Sequence, residues 1–348
     1  MKKKKEVTIY DIAKKLRLSP ATVSRALNNH PGISSQTKKR IEQIADELGY
    51  RSNTFASNLR RQHSQTIGVI VPKLNSYFMS MVISGMEKVA NEAGYNLLIS
   101  QSLETVDKEV ANTQVMFNSR VDGLLVSLAY DIRSLSHFDV FTKRGIPLIF
   151  FDRVADDYKA TSVIINNFRA GYGVVSHLIE QGCSRIAHIT GSLLRNVYLD
   201  RFNGYKTALS DHGLDFDKTL LLETDLSENA GVDCAEKFLS MNPRPDGIFV
   251  ANDTCAVSCI LRLKEAGICI PNDIAVAGFN NDPISKVVEP SLTTVNYPGR
   301  EMGEIAVTNM IDHLNGSSNI HTTNTIILRS ELIVRQSTKK MNIPQTHE

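Results

Sequence analysis

The chain predicts an α/β protein in two parts, a small N-terminal helix-turn-helix module followed by a body of two doubly wound parallel-sheet halves. Three observations predict it. Residues 1–61 hold short helical segments with strong start signals and 14 Lys and Arg against 5 Asp and Glu, whereas the remainder holds 25 against 32. From Thr66 onward, short apolar runs alternate with amphipathic stretches, the pattern of parallel strands joined by helices. At 348 residues and 42% hydrophobic content, the chain suits two or three domains with sizeable cores.

The first helix is expected over residues 9–16, opened by Thr8 and Asp11 at capping-box spacing. A tight Arg17-Leu18 turn leads to Ser19 as N-cap and Pro20 at the first helical position, so a second short helix begins there. Its Thr22, Ser24, Arg25 and Asn28 are short donors or a guanidinium, the equipment of a helix that lies in a DNA major groove. Ser34 or Ser35 starts a third helix with Ile41, Ile44, Ala45 and Leu48 on its buried face, and Gly49 stops it. Residues 50–63 are polar, basic and poor in core residues, which reads as a linker with a marginal helical turn or two. A solvated basic tail accounts for residues 2–5 but not for Arg17, Arg25, Lys38, Lys39, Arg40, Arg60 and Arg61. A basic module that meets a polyanion is therefore joined to an acidic body that does not.

In the body, strands are predicted over residues 67–71, 97–100, 123–127 and 147–151, with helices ending at residues 93, 119 and 144. A second series has strands over 162–165, 185–190, 219–222, 247–250 and 273–278, a helix over 170–180, and helices ending at 212, 240 and 266. A strand over 292–295, a helix over 299–314 and a last strand over 325–334 complete the chain. So many strands suit two adjacent sheets better than one. In such sheets ligands bind beyond the carboxyl ends of the strands.

Other classes of function find little support. The five cysteines are odd in number and lack a partner set for zinc, so they read as reduced, mostly buried thiols of a cytoplasmic, nucleoid-associated protein. No apolar run approaches a membrane span, and the basic N-terminus leads into Glu6, Thr8 and Asp11 rather than an apolar signal core. Gly171-Tyr-Gly173 matches a dinucleotide loop poorly, because Ser176 stands where the third glycine belongs. With no Gly-x-Ser-x-Gly, no metal-ligand helix and no acid–base pair that spacing nominates, the chain reads as a non-enzyme without cofactor or metal.

Thr8-Ile-Tyr-Asp-Ile-Ala-Lys, Ser19-Pro-Ala-Thr-Val-Ser-Arg-Ala-Leu-Asn28, Gly49-Tyr50 and Ile67-Gly-Val-Ile-Val-Pro72 closely resemble the lactose-repressor (LacI/GalR) family of bacterial transcription regulators. The likeness continues through Val121-Asp-Gly, Phe151-Asp-Arg153, Arg185-Ile-Ala, Arg201-Phe-x-Gly-Tyr205, Ala251-Asn-Asp253, Gly278-Phe-Asn and Leu292-Thr-Thr-Val, covering residues 7 to about 336. The resemblance implies a lambda-repressor-like helix-turn-helix over residues 1–49, a hinge helix or linker over 50–63, and a periplasmic-binding-protein-like effector-binding and dimerisation core over 64–348. Within the core, the N-subdomain is expected over about 64–162 and 293–322, and the C-subdomain over about 163–290 and 324–338. Crossovers are placed near 160–165, 289–295 and 320–327, with the last strand rejoining the second subdomain.

It further implies a homodimeric repressor on a pseudo-palindromic operator, controlled by a small effector in the inter-subdomain cleft. Arg25 is the candidate for direct base reading, through a guanidinium fork on guanine O6 and N7; a phosphate-only arginine is the alternative. Pro20 and Ala21 match positions that vary with operator sequence and offer apolar contact alone. Thr22, Ser24, Ser34, Thr37, Tyr50 and Asn53 match phosphate or sugar contacts, with capping or packing the alternative for Thr22, and Thr8, Ser19 and Asn28 complete the DNA-facing set. Ala56 and Leu59 match a hinge helix whose leucine wedges between bases in the minor groove. Arg201, Asn252 and Asp253 match effector-binding positions, with Arg153 and Phe78 at the rim; a salt bridge is the alternative for Arg201, and capping for Asp253. Asn280, Asn166 and Lys73 stand where the family often has Asp, which removes charge-assisted acceptors for hydroxyls. A polyhydroxylated sugar is the leading effector, ahead of a phosphorylated or acidic sugar and of a nucleobase or nucleoside.

Overall fold

The computed structural model describes residues 7–50, 63–155, 158–320 and 325–339. The chain divides into two units, residues 1–64 and 65–348.

In the first unit, α1 (Ile9–Leu16), α2 (Pro20–Leu27) and α3 (Ser35–Leu48) pack through Ile12, Ala13, Val23, Ala26, Ile41 and Ala45. The starts follow local chemistry. The Asp11 carboxylate accepts from the Thr8 backbone N–H at 2.8 Å and from its hydroxyl at 2.7 Å. Ser19 Oγ accepts from Thr22 N at 3.1 Å, and Ser34 Oγ from Thr37 N at 3.2 Å. Gly49, at φ +67°, closes α3 in the left-handed region that glycine enters without strain.

The second unit contains a six-stranded parallel sheet in the order β11-β5-β4-β3-β1-β2 and a four-stranded parallel sheet in the order β7-β6-β8-β9. The first is built from β1 (Thr66–Val71), β2 (Asn96–Gln101), β3 (Gly123–Val126), β4 (Leu148–Phe151), β5 (Thr161–Ile165) and β11 (Thr325–Leu328). The second comprises β6 (Ile186–Thr190), β7 (Leu221–Glu223), β8 (Gly247–Val250) and β9 (Ala275–Ala277). Central strands such as β3, β4 and β8 are buried along their whole length, as strands covered on both faces must be. Helices α4 (Tyr77–Glu92) and α12 (Gly299–Leu314) pair on the first half, and α7 (Asn167–Glu180) with α8 (Asn196–Asp211) and α9 (Glu228–Ser240) with α10 (Asp253–Glu265) on the second.

Four expectations are corrected. The last strand is two: β11 pairs in parallel with β5, whereas β12 (Glu331–Ile333) runs antiparallel to β10 (Thr294–Asn296). Residues 163–165 and 325–328 thus lie in the first sheet, not the second, because β5 pairs with β4 from Ile149↔Thr161 to Phe151↔Val163 and β11 pairs with β5 in turn. The helix expected up to residue 144 shrinks to α6 (Asp139–Lys143) behind a one-turn 3-10 segment. The preceding loop is instead pinned by tertiary bonds, Ala129 N to Glu109 and Ile132 O from Arg195. Finally, α7 begins at Asn167, three residues before the predicted start, because the exposed Asn166 caps it through Arg169 N at 2.8 Å. Asn166 is therefore a helix cap.

Candidate DNA-binding face and effector cleft

On α2, Val23 and Ala26 seal the core of the first unit, so Ala21, Ser24, Arg25 and Asn28 fall on the opposite, outward side. Arg25 is exposed and makes no ion pair among the described residues. The hydroxyls nominated as phosphate contacts are already at work in the fold: Ser19 Oγ lies 2.8 Å from Thr22 Oγ1, and Ser34 Oγ 2.8 Å from Thr37 Oγ1. Asn28 donates its amide to Ser24 O at 2.8 Å, and half-buried Tyr50 packs on the three-helix core. Thr8 is engaged by Asp11. At these ends Pro20 has no N–H and Thr22 N and Thr37 N are taken by the caps, so it is the positive end of each helix dipole that favours phosphate. Tyr10, not singled out from the sequence, is 68% exposed on α1, at a position between core residues that marks it as outward-facing. Asn53, Ala56 and Leu59 lie outside the described residues.

In the second unit, the carboxyl ends of β3 and β4 meet the amino end of α8. Arg201 is buried, donates from Nε to Asn167 Oδ1 (2.9 Å) and from Nη1 to Ala251 O (3.0 Å), and lies flat on Phe279 at 3.5 Å from the ring centroid. Tyr198 and Tyr297 stand 5.7 and 5.5 Å from the same guanidinium. Burial pulls Arg201 below its ordinary pKa, with its tyrosine neighbours and Asp152 opposing. No carboxylate lies within ion-pair distance of it among the described residues, so the salt-bridge alternative does not describe it.

Arg153 is also buried, held by Glu104 at 2.7 Å, by Tyr198 Oη at 3.2 Å and by the face of Tyr130 at 4.2 Å. Asp152, at φ +58°, turns its carboxylate to Ser127 Oγ (3.1 Å) and Tyr297 Oη (2.7 Å). Two more contacts tie the halves together, Asn196 Oδ1 accepting from Val154 N (3.0 Å) and Tyr130 Oη meeting Tyr198 Oη (3.0 Å).

The remaining nominated residues sit differently. Asn252 caps α10 through Cys255 N (2.8 Å) and donates to Leu226 O (3.0 Å), so both ends of its amide serve the fold. Asp253 is fully buried, accepting from Thr294 Oγ1 and from Asp282 N, each at 2.7 Å. It therefore braces the crossover strand β10; the helix cap is its neighbour's. Burial pushes the Asp253 carboxyl up to about 8. Asn280, at φ +111°, and Phe78 line a groove of ≈ 590 Å³ together with Tyr297.

Of the residues nominated for the cleft, Arg153 and Arg201 come together here, and Asp152, Tyr130, Tyr198, Asn196, Arg195, Phe279 and Tyr297, not nominated from the sequence, stand around them. Asp152 and Phe279 stood inside quoted motifs and could have been found. The aromatic residues carry the same pattern as core. Four of the five cysteines are buried, and no helix among the described residues is long and apolar enough to cross a membrane.

A three-helix unit with an outward basic helix, joined to two parallel-sheet halves that meet over buried arginines, defines a helix-turn-helix protein with a periplasmic-binding-protein-like body. Residues 8–53 match the bacterial regulatory proteins of the lacI family, and residues 175–338 match the periplasmic binding protein-like domain. Catabolite control protein A of Priestia megaterium is 30% identical over 334 residues, 96% of this chain and 99% of that protein. The HTH-type transcriptional repressor PurR of Vibrio atlanticus is 30% identical over 340 residues, again 96% and 99%. A crystal structure of the Lac repressor dimer bound to operator and the anti-inducer ONPF superposes with a TM-score of 0.85 at 25% identity, over 96% of this chain and 99% of that one. The chain belongs to the lacI family of bacterial regulatory proteins.

Proposed function

We propose that this chain is a transcriptional repressor that binds a pseudo-palindromic operator as a homodimer and is controlled by a neutral polyhydroxylated sugar held between the two sheet halves. The outward face of α2 carries the DNA reading, with Arg25 as the base-reading side chain and the capped ends of α2 and α3 seated on phosphates. Exposed Leu261, Ile284 and Val287 on α10 and α11 (Ile284–Val287) supply an apolar surface suited to a second copy. The solved Lac repressor is a dimer on operator, and the same assembly is proposed here.

For the effector, the deciding observation is charge balance. Arg153, Arg195 and Arg201 are buried, near buried Glu109 and Asp152 and half-buried Glu104, three guanidiniums against three carboxylates. A buried set that already cancels gives a charged ligand no net attraction, whereas aromatic walls and forked donors suit a ring with hydroxyls. An acidic or phosphorylated sugar is the second reading, favoured by the lack of a carboxylate partner for Arg201.

Two experiments test the proposal. Melting the full chain with neutral sugars and with their 6-phosphates should raise its melting temperature with a neutral sugar, because a ligand that binds only the native state stabilises it; a rise with phosphates alone transfers the case to the second reading. Gel-shift of genomic fragments should show sharp, salt-dependent binding, and no preference over random DNA at moderate salt would sink the repressor reading.

A further inference from the structure

We propose that Tyr297 is the specificity-determining residue of this cleft: its ring stands where an effector ring would lie, and its hydroxyl holds the carboxylate oxygen that an effector hydroxyl needs. The proposal rests on the sugar reading above. Tyr297 donates to Asp152 Oδ1 at 2.7 Å, while Ser127 takes Oδ2 at 3.1 Å, so both oxygens of the buried carboxylate are engaged by the protein itself. The Tyr297 ring stacks on Phe78 at 4.2 Å, meets Phe279 edge-on at 5.8 Å and stands 5.5 Å from the Arg201 guanidinium. A ring, an aromatic face, a guanidinium and a carboxylate accepting from a hydroxyl are the contacts expected of a bound sugar.

An entering ligand must therefore exchange its own O–H for the phenol, which selects for ligands that bring such a donor and against those that cannot. The displaced ring has somewhere to go. Tyr297 and Phe78 also line the ≈ 590 Å³ groove, together with Met81, Asn280 and Asn296. Displacement is also not a local matter. Tyr297 lies on the short crossover between β10 and α12, and its carbonyl accepts from Gly299 N at 2.8 Å, the first residue of α12. Exchange at Asp152 thus pulls on the segment that joins the two halves.

The test is a melting-temperature titration of the full chain and of Tyr297→Phe and Tyr297→Leu, with glucose, galactose, ribose and glucose 6-phosphate as probes. Tyr297→Phe keeps the ring and removes only the competing donor, so the sugar that stabilises the parent should bind roughly 10- to 150-fold tighter, the worth of one hydrogen bond to a charged carboxylate. Tyr297→Leu should admit sugars the parent rejects. Unchanged or weaker sugar affinity in both variants overturns the role of Tyr297 while leaving the sugar reading intact. Absence of any response in the parent and both variants sinks the sugar reading, and this proposal with it.

Discussion

Arg25 and Arg201 are the same side chain put to opposite uses. Arg25 is exposed on α2, and on the proposed reading its fork serves DNA. A bidentate contact to guanine discriminates by about 1–3 kcal/mol, so Arg25→Ala should weaken operator binding roughly 5- to 150-fold while leaving random-DNA binding less affected. Fluorescence anisotropy on both DNAs checks this; equal losses on both would make Arg25 a phosphate contact. Asp253 offers a test by pH. Its carboxyl is raised to about 8 from an ordinary value of 3.8, so the native state keeps a proton that the unfolded chain gives up. Stability linked to it is greatest at low pH and is lost as pH rises through about 8. His188, buried and held down to about 4, acts in the opposite sense below pH 6.5, which leaves the window above 6.5 to Asp253. There the parent should lose about 2 kcal/mol between pH 6.5 and 8.5 relative to Asp253→Asn, whose amide can still accept from Asp282 N and donate to Thr294. Parallel urea-denaturation curves for the two proteins across that window would reject the assignment. At this scale the sequence was readable where a residue type is rare in cores, as with Arg153 and Arg201. It was silent on Tyr130, Tyr198 and Tyr297, because a tyrosine lining a cleft and a tyrosine packed in a core obey the same apolar pattern.

At the scale of elements, close approach of helices places the site. Gly171 on α7 faces the backbone of α8 at Arg201 itself: a Cβ there would lie 2.5 Å from Arg201 O and 2.9 Å from its Cα. Gly173, two residues on, has nothing within 4 Å. Gly171→Ala must therefore push α8 away and carry Arg201 off Phe279, at a stability cost of about 1–3 kcal/mol for overpacking. Gly173→Ala, in an open stretch of the same helix, should be neutral or stabilising by up to about 1 kcal/mol. Urea denaturation measures the first effect and sugar-induced melting shifts the second, which Gly171→Ala should lose and Gly173→Ala retain. Equal behaviour of the two variants would show that the α7–α8 contact does not set the position of Arg201. The same pair shows what local pattern conveys. Two glycines two residues apart match a dinucleotide loop poorly, and the helix crossing explains the first of them. Helix starts were readable where a side chain caps them, to the residue at Ser19 and to one of two serines at Ser34. Sheet membership of β5 and β11 was not, since a short apolar strand carries no mark of which sheet it joins.

Across the whole molecule, charge and ligand act on separate parts of one chain. Residues 1–61 carry an excess of base, 14 against 5, and the rest an excess of acid, 25 against 32, so phosphate contacts must come from the first part. Each phosphate neutralised adds about −0.9 to the slope of log affinity against log salt. A dimer making roughly 6–10 such contacts should lose about 10³- to 10⁵-fold in operator affinity between 50 and 200 mM salt. On the proposed reading the cleft contributes nothing to that slope, because its guanidiniums and carboxylates balance and a neutral sugar adds no charge. Effector should therefore displace the line without being needed for its steepness, as a ligand must when it acts by differential affinity for two arrangements of the protein. Arg201→Ala separates the two parts. In its absence of ligand the salt line should coincide with the parent's, and adding the sugar that moves the parent line should leave the variant's in place. Operator binding measured by anisotropy over a salt series decides the matter: a flat line in the parent removes the phosphate-driven reading of residues 1–61, and an effector response that survives Arg201→Ala removes this cleft as its origin.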